Sequence, residues 1–274
     1  MRLGTQLSTE VAPSVTLRTP APASLPELGP LFATREWDDL SSHLHRQFIG
    51  YLGLMLPLVL WIIAGWRATA GLQRWELLSS VSAYYYTGAV AAFVGILVAL
   101  AAFLVTYRGY DNEYKRSDRI AAIIASVAAI GVAFFPTRAP GDLPVPSWWT
   151  PQTGTIHYIS AAVLFGTFIF FSLFLFPKSK VKKGESLPFD KRVRNFFYVS
   201  CGVVMLVCVV WAGSSYFTDA PIFWPEAIAL EFFAVSWLVK GHADWTLVAG
   251  GRRALHYGRH PGQLVGEIRR SIRG

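Results

Sequence analysis

Six stretches of this chain, each 17 to 23 residues long, are apolar and almost free of charge: Phe48–Trp66, Tyr85–Tyr107, Ile120–Pro136, His157–Phe176, Asn195–Gly213 and Ile222–Val239. A hydrocarbon layer about 30 Å thick is crossed by about 20 helical residues. Inside it every backbone amide must be bonded within the segment, which leaves the helix as the choice for isolated apolar runs. The runs therefore predict an all-α, polytopic membrane helix bundle with six transmembrane helices. Composition agrees: of 274 residues 53% are hydrophobic and only 15% charged, where a soluble domain carries about 25% charged residues. Pro136 is expected to end the short third run.

Orientation follows from the connections. Lys and Arg accumulate on the cytoplasmic side of membrane proteins. Here 22 of the 25 lie in the N-terminal segment, the second and fourth connections, and the tail from Lys240 onward; only Arg67, Arg74 and Arg138 lie in the other connections. Both termini are thus expected to be cytoplasmic. Trp61, Trp66, Trp148, Trp149, Trp211 and Trp224 fall near the external ends of the runs, as an interfacial aromatic belt requires. The net charge of +8 is absorbed by this asymmetry and does not indicate nucleic acid.

Three regions follow: a Pro-rich cytoplasmic tail over 1–33, the six-span domain over 34–241, and a basic cytoplasmic tail over 242–274. In the last, Leu264, Val265, Ile268 and Ile272 oppose Arg269, Arg270 and Arg273, a pattern suited to an anionic leaflet or a cytoplasmic protein partner. The third run repeats Ala121, Ala125, Ala129 and Ala133 beside Gly131, a small face that permits close helix approach and places this helix near the bundle centre. Cys201 and Cys208, seven residues apart on one helix, are about 10 Å apart by the helical rise, too far for a disulfide, and read as packing residues.

Chemistry-bearing motifs are sparse. The chain lacks a Gly-rich phosphate loop, a His-Glu-x-x-His, zinc-spaced cysteines and a Gly-x-Ser-x-Gly elbow. No cofactor is implied. No metal is either, because His157 has no second ligand at diagnostic spacing. Ionisable groups inside spans are costly and become candidates by default. Glu226 lies one turn inside the external end of the sixth run and Glu231 near its middle, about 140° further round the helix. The external ends of other runs contribute Ser82, Tyr85, Arg138 and His157. Together with Glu226 these are expected to converge in an outward-facing polar pocket. There Glu226 or His157 would serve as acid or base, Ser82 or Tyr85 would assist, and Arg138, Glu226, His157 and Tyr85 would hold a ligand.

The stretch Ser80-Val-Ser-Ala-Tyr-Tyr-Tyr-Thr-Gly88, followed by Phe93-Val-Gly and Tyr107-Arg-Gly-Tyr110, resembles uncharacterised bacterial six-span membrane proteins, distantly like the damage-regulated autophagy modulator type. Trp224-Pro-Glu226 through Ser236-Trp-Leu-Val-Lys-Gly241 is similar to their last span. The resemblance implies a bacterial inner-membrane location and singles out Glu226 over Glu231. It supplies neither substrate nor mechanism, and this chain has Val90 and Ala91 where such relatives place a charged pair.

Three function classes remain open on these residues. One is a sensing or scaffolding module that contacts anionic lipid or a protein partner through its basic face. Another is a membrane-embedded enzyme acting on a lipid from the external side. The third is a transporter or channel in which Glu231 carries a proton or an ion.

Overall fold

The computed structural model describes residues 34–67, 69, 71–109, 115–141, 143–178, 189–215, 218 and 220–242. Both expected tails, 1–33 and nearly all of 242–274, lie outside the described residues. The chain divides into two units, Met1–Asp38 and Asp39–Gly274, and the helical bundle belongs to the second.

The described residues form six α-helices: α1 (Thr34–Trp66), α2 (Val90–Thr106), α3 (Lys115–Phe134), α4 (Pro151–Phe170), α5 (Phe189–Ser215) and α6 (Phe223–Lys240). No strand occurs among the described residues. Among the described residues four stretches are long and apolar enough to cross a membrane: Ser41–Trp66, Lys115–Phe134, Pro151–Leu175 and Lys191–Ser215. Their outward residues are apolar, with Val127 68% and Phe196 70% exposed. Large apolar side chains turned outward along whole helices are stable only where the surroundings are themselves apolar.

The other two expected spans are shorter or more polar. The second run does not begin as α-helix at Tyr85. Ser82–Tyr86 forms a separate 3-10 turn, and α2 starts only at Val90, giving 17 residues. The change follows from local bonds: Ser80 Oγ accepts from Ala83 N at 2.9 Å, and Thr87 Oγ1 donates to Tyr84 O while accepting from Ala89 N. Ser and Thr side chains compete with helix bonding in this way and interrupt the apolar pattern. α6 has 18 residues and carries Glu226, Glu231 and Lys240. The third run starts earlier than expected, at Lys115, and ends at Phe134, two residues before Pro136.

Packing follows residue size. Ala121, Ala125, Ala129 and Ala133 are all buried where α3 meets α2 and α4, while Ile120, Ile123, Ile124 and Val127 on its other side are exposed. The alanine face is therefore turned inward as expected, but the helix keeps an outward face and is not wrapped on all sides. A Cβ added at Gly131 would come within 2.2 Å of Ser160 Oγ, so glycine sets the α3–α4 approach. α1 and α6 meet through Gly50, whose added Cβ would lie 2.8 Å from Leu238 Cγ and 3.0 Å from the backbone oxygen of Ala234. Small residues that let backbones approach are the common device of helix packing in lipid. Cys201 and Cys208 are free and buried on α5, as packing residues should be.

The bundle has two chemically different ends. Arg46, Arg108, Arg116, Arg119, Lys191 and Lys240 mark one, here called the basic end. Trp66, Trp75, Trp148 and Trp224 mark the other, the tryptophan end.

Candidate functional site

At the tryptophan end the structure uses the expected site residues as braces between connections. Glu226, in the first turn of α6, accepts through Oε2 from Val81 N at 2.7 Å and also faces the amide of Ser82. Its carboxyl thus caps the 3-10 turn from another helix, since the first amides of a helical turn have no internal partner. Ile222 N donates to Ser79 O at 2.7 Å and closes the same junction. Ser82 is buried within that turn, and Tyr85 packs edge-to-face on Tyr86 and Phe93.

A second junction lies at the end of α3. His157 Nδ1 is 2.7 Å from Phe135 O, Trp149 Nε1 donates to Pro136 O at 3.1 Å, and Tyr86 Oη donates to Thr137 O at 2.5 Å. Thr137 Oγ1 donates to Tyr158 Oη at 2.9 Å. Three side chains, from α4, the connection before it and the 3-10 turn, thereby satisfy the three carbonyls that directly follow α3. Glu226 and Ser82 meet at the first junction, and His157 meets Tyr86 and Tyr158 around the second. Arg138 is exposed and makes no hydrogen bond or ion pair among the described residues. A nearby cavity lined by Thr69, Arg74, Trp75, Glu76, Tyr84 and Thr87 holds about 10 Å³, room for one water and no larger ligand.

Tyr86 ends the 3-10 turn that precedes α2, and its hydroxyl is pushed up to about 12, first by burial and then by the neighbouring Tyr85 and Tyr158 hydroxyls. A phenol that keeps its proton longer when folded contributes stability that is complete below about pH 10 and is lost as pH rises towards 12. Alkaline titration of unfolding should therefore show a loss between about pH 10 and 12 that Tyr86→Phe diminishes; an unchanged profile in that variant would contradict the assignment.

At the basic end the ends of several helices bring charge inward. Lys240 Nζ and Lys191 Nζ both donate to Phe176 O, at 3.3 and 3.2 Å, and Lys240 also lies over the Phe176 and Tyr198 rings. Arg46 sits over Tyr107, whose ring packs edge-on against Trp237. The carbonyl shared by the two lysines follows a π-helical turn over Phe171–Leu175, where α4 widens; Ser172 of that turn bonds Ser236 of α6 at 2.8 Å. π-turns recur where a helix is adapted to a local demand. Sequence reading did not find this cluster; the available signal was a cation flanking each of two apolar runs, Arg46 before the apolar part of α1 and Lys240 at the end of α6.

Between α2 and α3 the basic end opens a cleft of about 780 Å³ lined by Val105, Thr106, Arg108, Lys115, Arg116, Arg119 and Ile120. Arg119 is anchored, donating through Nη1 to Val105 O in the last turn of α2 and to the O of Tyr107, the residue that caps it. A cation on carbonyls at a helix C-terminus is favourable. Arg108 and Arg116 make no hydrogen bond or ion pair among the described residues. Gly109, with φ +70°, turns the chain out of α2 while Asp118 packs against it; an added Cβ would lie 2.7 Å from Asp118 Cβ.

No protein-family model, curated protein or solved structure matches the chain. What stands is a protein whose described residues are all-α with four candidate membrane spans, an integral membrane protein by length and composition.

Proposed function

We propose that this is a bacterial inner-membrane protein that crosses six times, keeps both termini in the cytoplasm, and works as a lipid-contacting module. On this reading the basic end lies at the cytoplasmic leaflet and holds anionic headgroups in the cleft between α2 and α3. The observation that carries the proposal is the composition of that cleft. Four cationic residues, Arg108, Lys115, Arg116 and Arg119, form its polar part, and the exposed Val105 and Ile120 form its apolar part. A phospholipid needs that pairing, cations for phosphate and apolar surface for the first part of its chains. Basic pockets between membrane helices at the cytoplasmic side suit such headgroups. Arginine adds forked donors that match phosphate oxygens.

The six-crossing topology is supported by how α2 and α6 sit. The start of α6 meets the segment before α2 at the tryptophan end through Glu226 and Ile222, and α6 ends at the basic end with Gly241 against Gln47 of α1. α6 therefore runs the length of the bundle. α2, about 26 Å long by its rise, reaches from the tryptophan end to the basic cleft.

The test is retention of lipid by the protein reconstituted in nanodiscs. Purified protein is titrated with phosphatidylglycerol in a phosphatidylcholine background and bound lipid is read by native mass spectrometry. A basic residue near the surface contributes about 1 kcal/mol to anionic-lipid attraction, so Arg108→Ala with Arg116→Ala should weaken phosphatidylglycerol binding by at least about tenfold. Phosphatidylcholine retention should not change. Equal binding of the two lipids by the unmodified protein would overturn the proposal.

A further inference from the structure

We infer that the outward face of α6 is a self-association surface, on which Glu231 pairs with Glu231 of a second copy of this chain. The inference makes no use of the headgroup cleft and rests on the proposed six-crossing topology, in which α6 spans the membrane. Glu231 is the eighth residue beyond Phe223, about 12 Å along a helix about 27 Å long, so it lies at mid-depth of the bundle. It is only partly buried and makes no hydrogen bond or ion pair among the described residues. Its carboxyl is also not among the polar atoms sealed inside the protein without a partner, so it opens onto the surroundings. The residues one turn away on either side, Ala227, Ile228, Ala234 and Val235, offer it nothing polar. Trp224, 58% exposed, and Val235, 37% exposed, lie within about 40° of it on one side of the helix, whereas Ala227, about 40° to the other side, is buried, so Glu231 stands at the border of the outward face.

Hydrocarbon supplies no hydrogen-bond partner at that depth, and a polar group left there is costly. The glutamate of another helix satisfies it. A carboxyl in its acid form carries one donor and one acceptor, so two of them across a two-fold axis bond reciprocally. A closed dimer brings such a residue to its own copy, because an isologous interface uses the same patch on both subunits. Side-chain hydrogen bonds between helices are a known source of association in lipid. The flanking Ile228 and Val235 would supply the apolar contact around the pair.

The experiment uses the full chain with Cys201→Ala and Cys208→Ala, carrying Val235→Cys on α6 or, as the control, Val207→Cys on α5. Reconstituted in phosphatidylcholine vesicles at falling protein-to-lipid ratios, the Val235→Cys protein should form disulfide dimers at dilutions where the control has stopped. Glu231→Gln should keep the crosslink, because an amide is also self-complementary. Glu231→Leu should shift the dilution midpoint by about tenfold. Glu231→Gln also guards against misfolding, since it changes neither size nor shape. Crosslinking at Val235→Cys that matches the control, or that is unchanged by Glu231→Leu, would overturn the inference.

Discussion

Trp237→Ala is expected to lower the stability of the bundle by about 3 kcal/mol. Trp237 is fully buried and is ringed by Tyr107, Phe171, Phe176 and Phe233, with centroids 5.1 to 6.1 Å away. In water such a truncation costs about 3–5 kcal/mol, part from lost transfer and part from the cavity. In lipid the transfer part fades, because helices separate into an apolar solvent, while the lost packing contacts remain. The low end of the range follows. Trp237→Phe should cost less, since an aromatic ring still meets Tyr107 and Phe171. Unfolding in mixed detergent micelles, followed by tryptophan fluorescence and by circular dichroism, measures both variants. A loss below about 1 kcal/mol for Trp237→Ala would show that this cluster does not organise the fold.

The second large effect is at Glu226. Glu226→Ala removes the acceptor of Val81 N and uncaps the turn that positions α2, and a buried donor left without its partner costs about 1–3 kcal/mol. A loss of about 2 kcal/mol is expected, with faster proteolysis in the connection around Val81 under native conditions. Glu226→Gln keeps an oxygen in place and should recover most of it. The pair of variants separates a bracing carboxyl from one needed for proton transfer: a brace tolerates Gln, whereas an acid or base does not. If Glu226→Gln is as unstable as Glu226→Ala, capping by its oxygen is not what holds the turn.

Much of the fold is legible in the sequence because a membrane interior permits little else. Runs such as Ile120–Pro136 and Asn195–Gly213 have no use in water, and their apolar length predicts helices. The alanine repeat of α3 likewise gave its inward face, since four-residue spacing places small side chains on one side. The start of α2 was not legible. Tyr85 and Tyr86 continue the apolar run, and only the hydrogen bonds of Ser80 and Thr87 reveal a separate turn there.

The candidate site divides in the same way. Sequence reading selected Glu226, His157, Ser82, Tyr85 and Arg138 because polar groups at span ends are few. It placed them at one end, where the structure also has them. It did not determine what their polar atoms face, and Glu226 and His157 turn out to meet backbone amides and a carbonyl. The cleft between α2 and α3 was partly visible in Arg108 and Arg119, which flank one connection.

The sequence by itself determined that the chain is helical and apolar enough for a membrane, and that its charge is concentrated at particular connections. Those properties are sums over local runs and need no partner. Which carbonyl His157 meets, which turn Glu226 caps, and which side of α6 leaves Glu231 outward were decided by tertiary structure. Each depends on how closely two helices approach, which glycines such as Gly50 and Gly131 set across distances in the chain that no local pattern encodes.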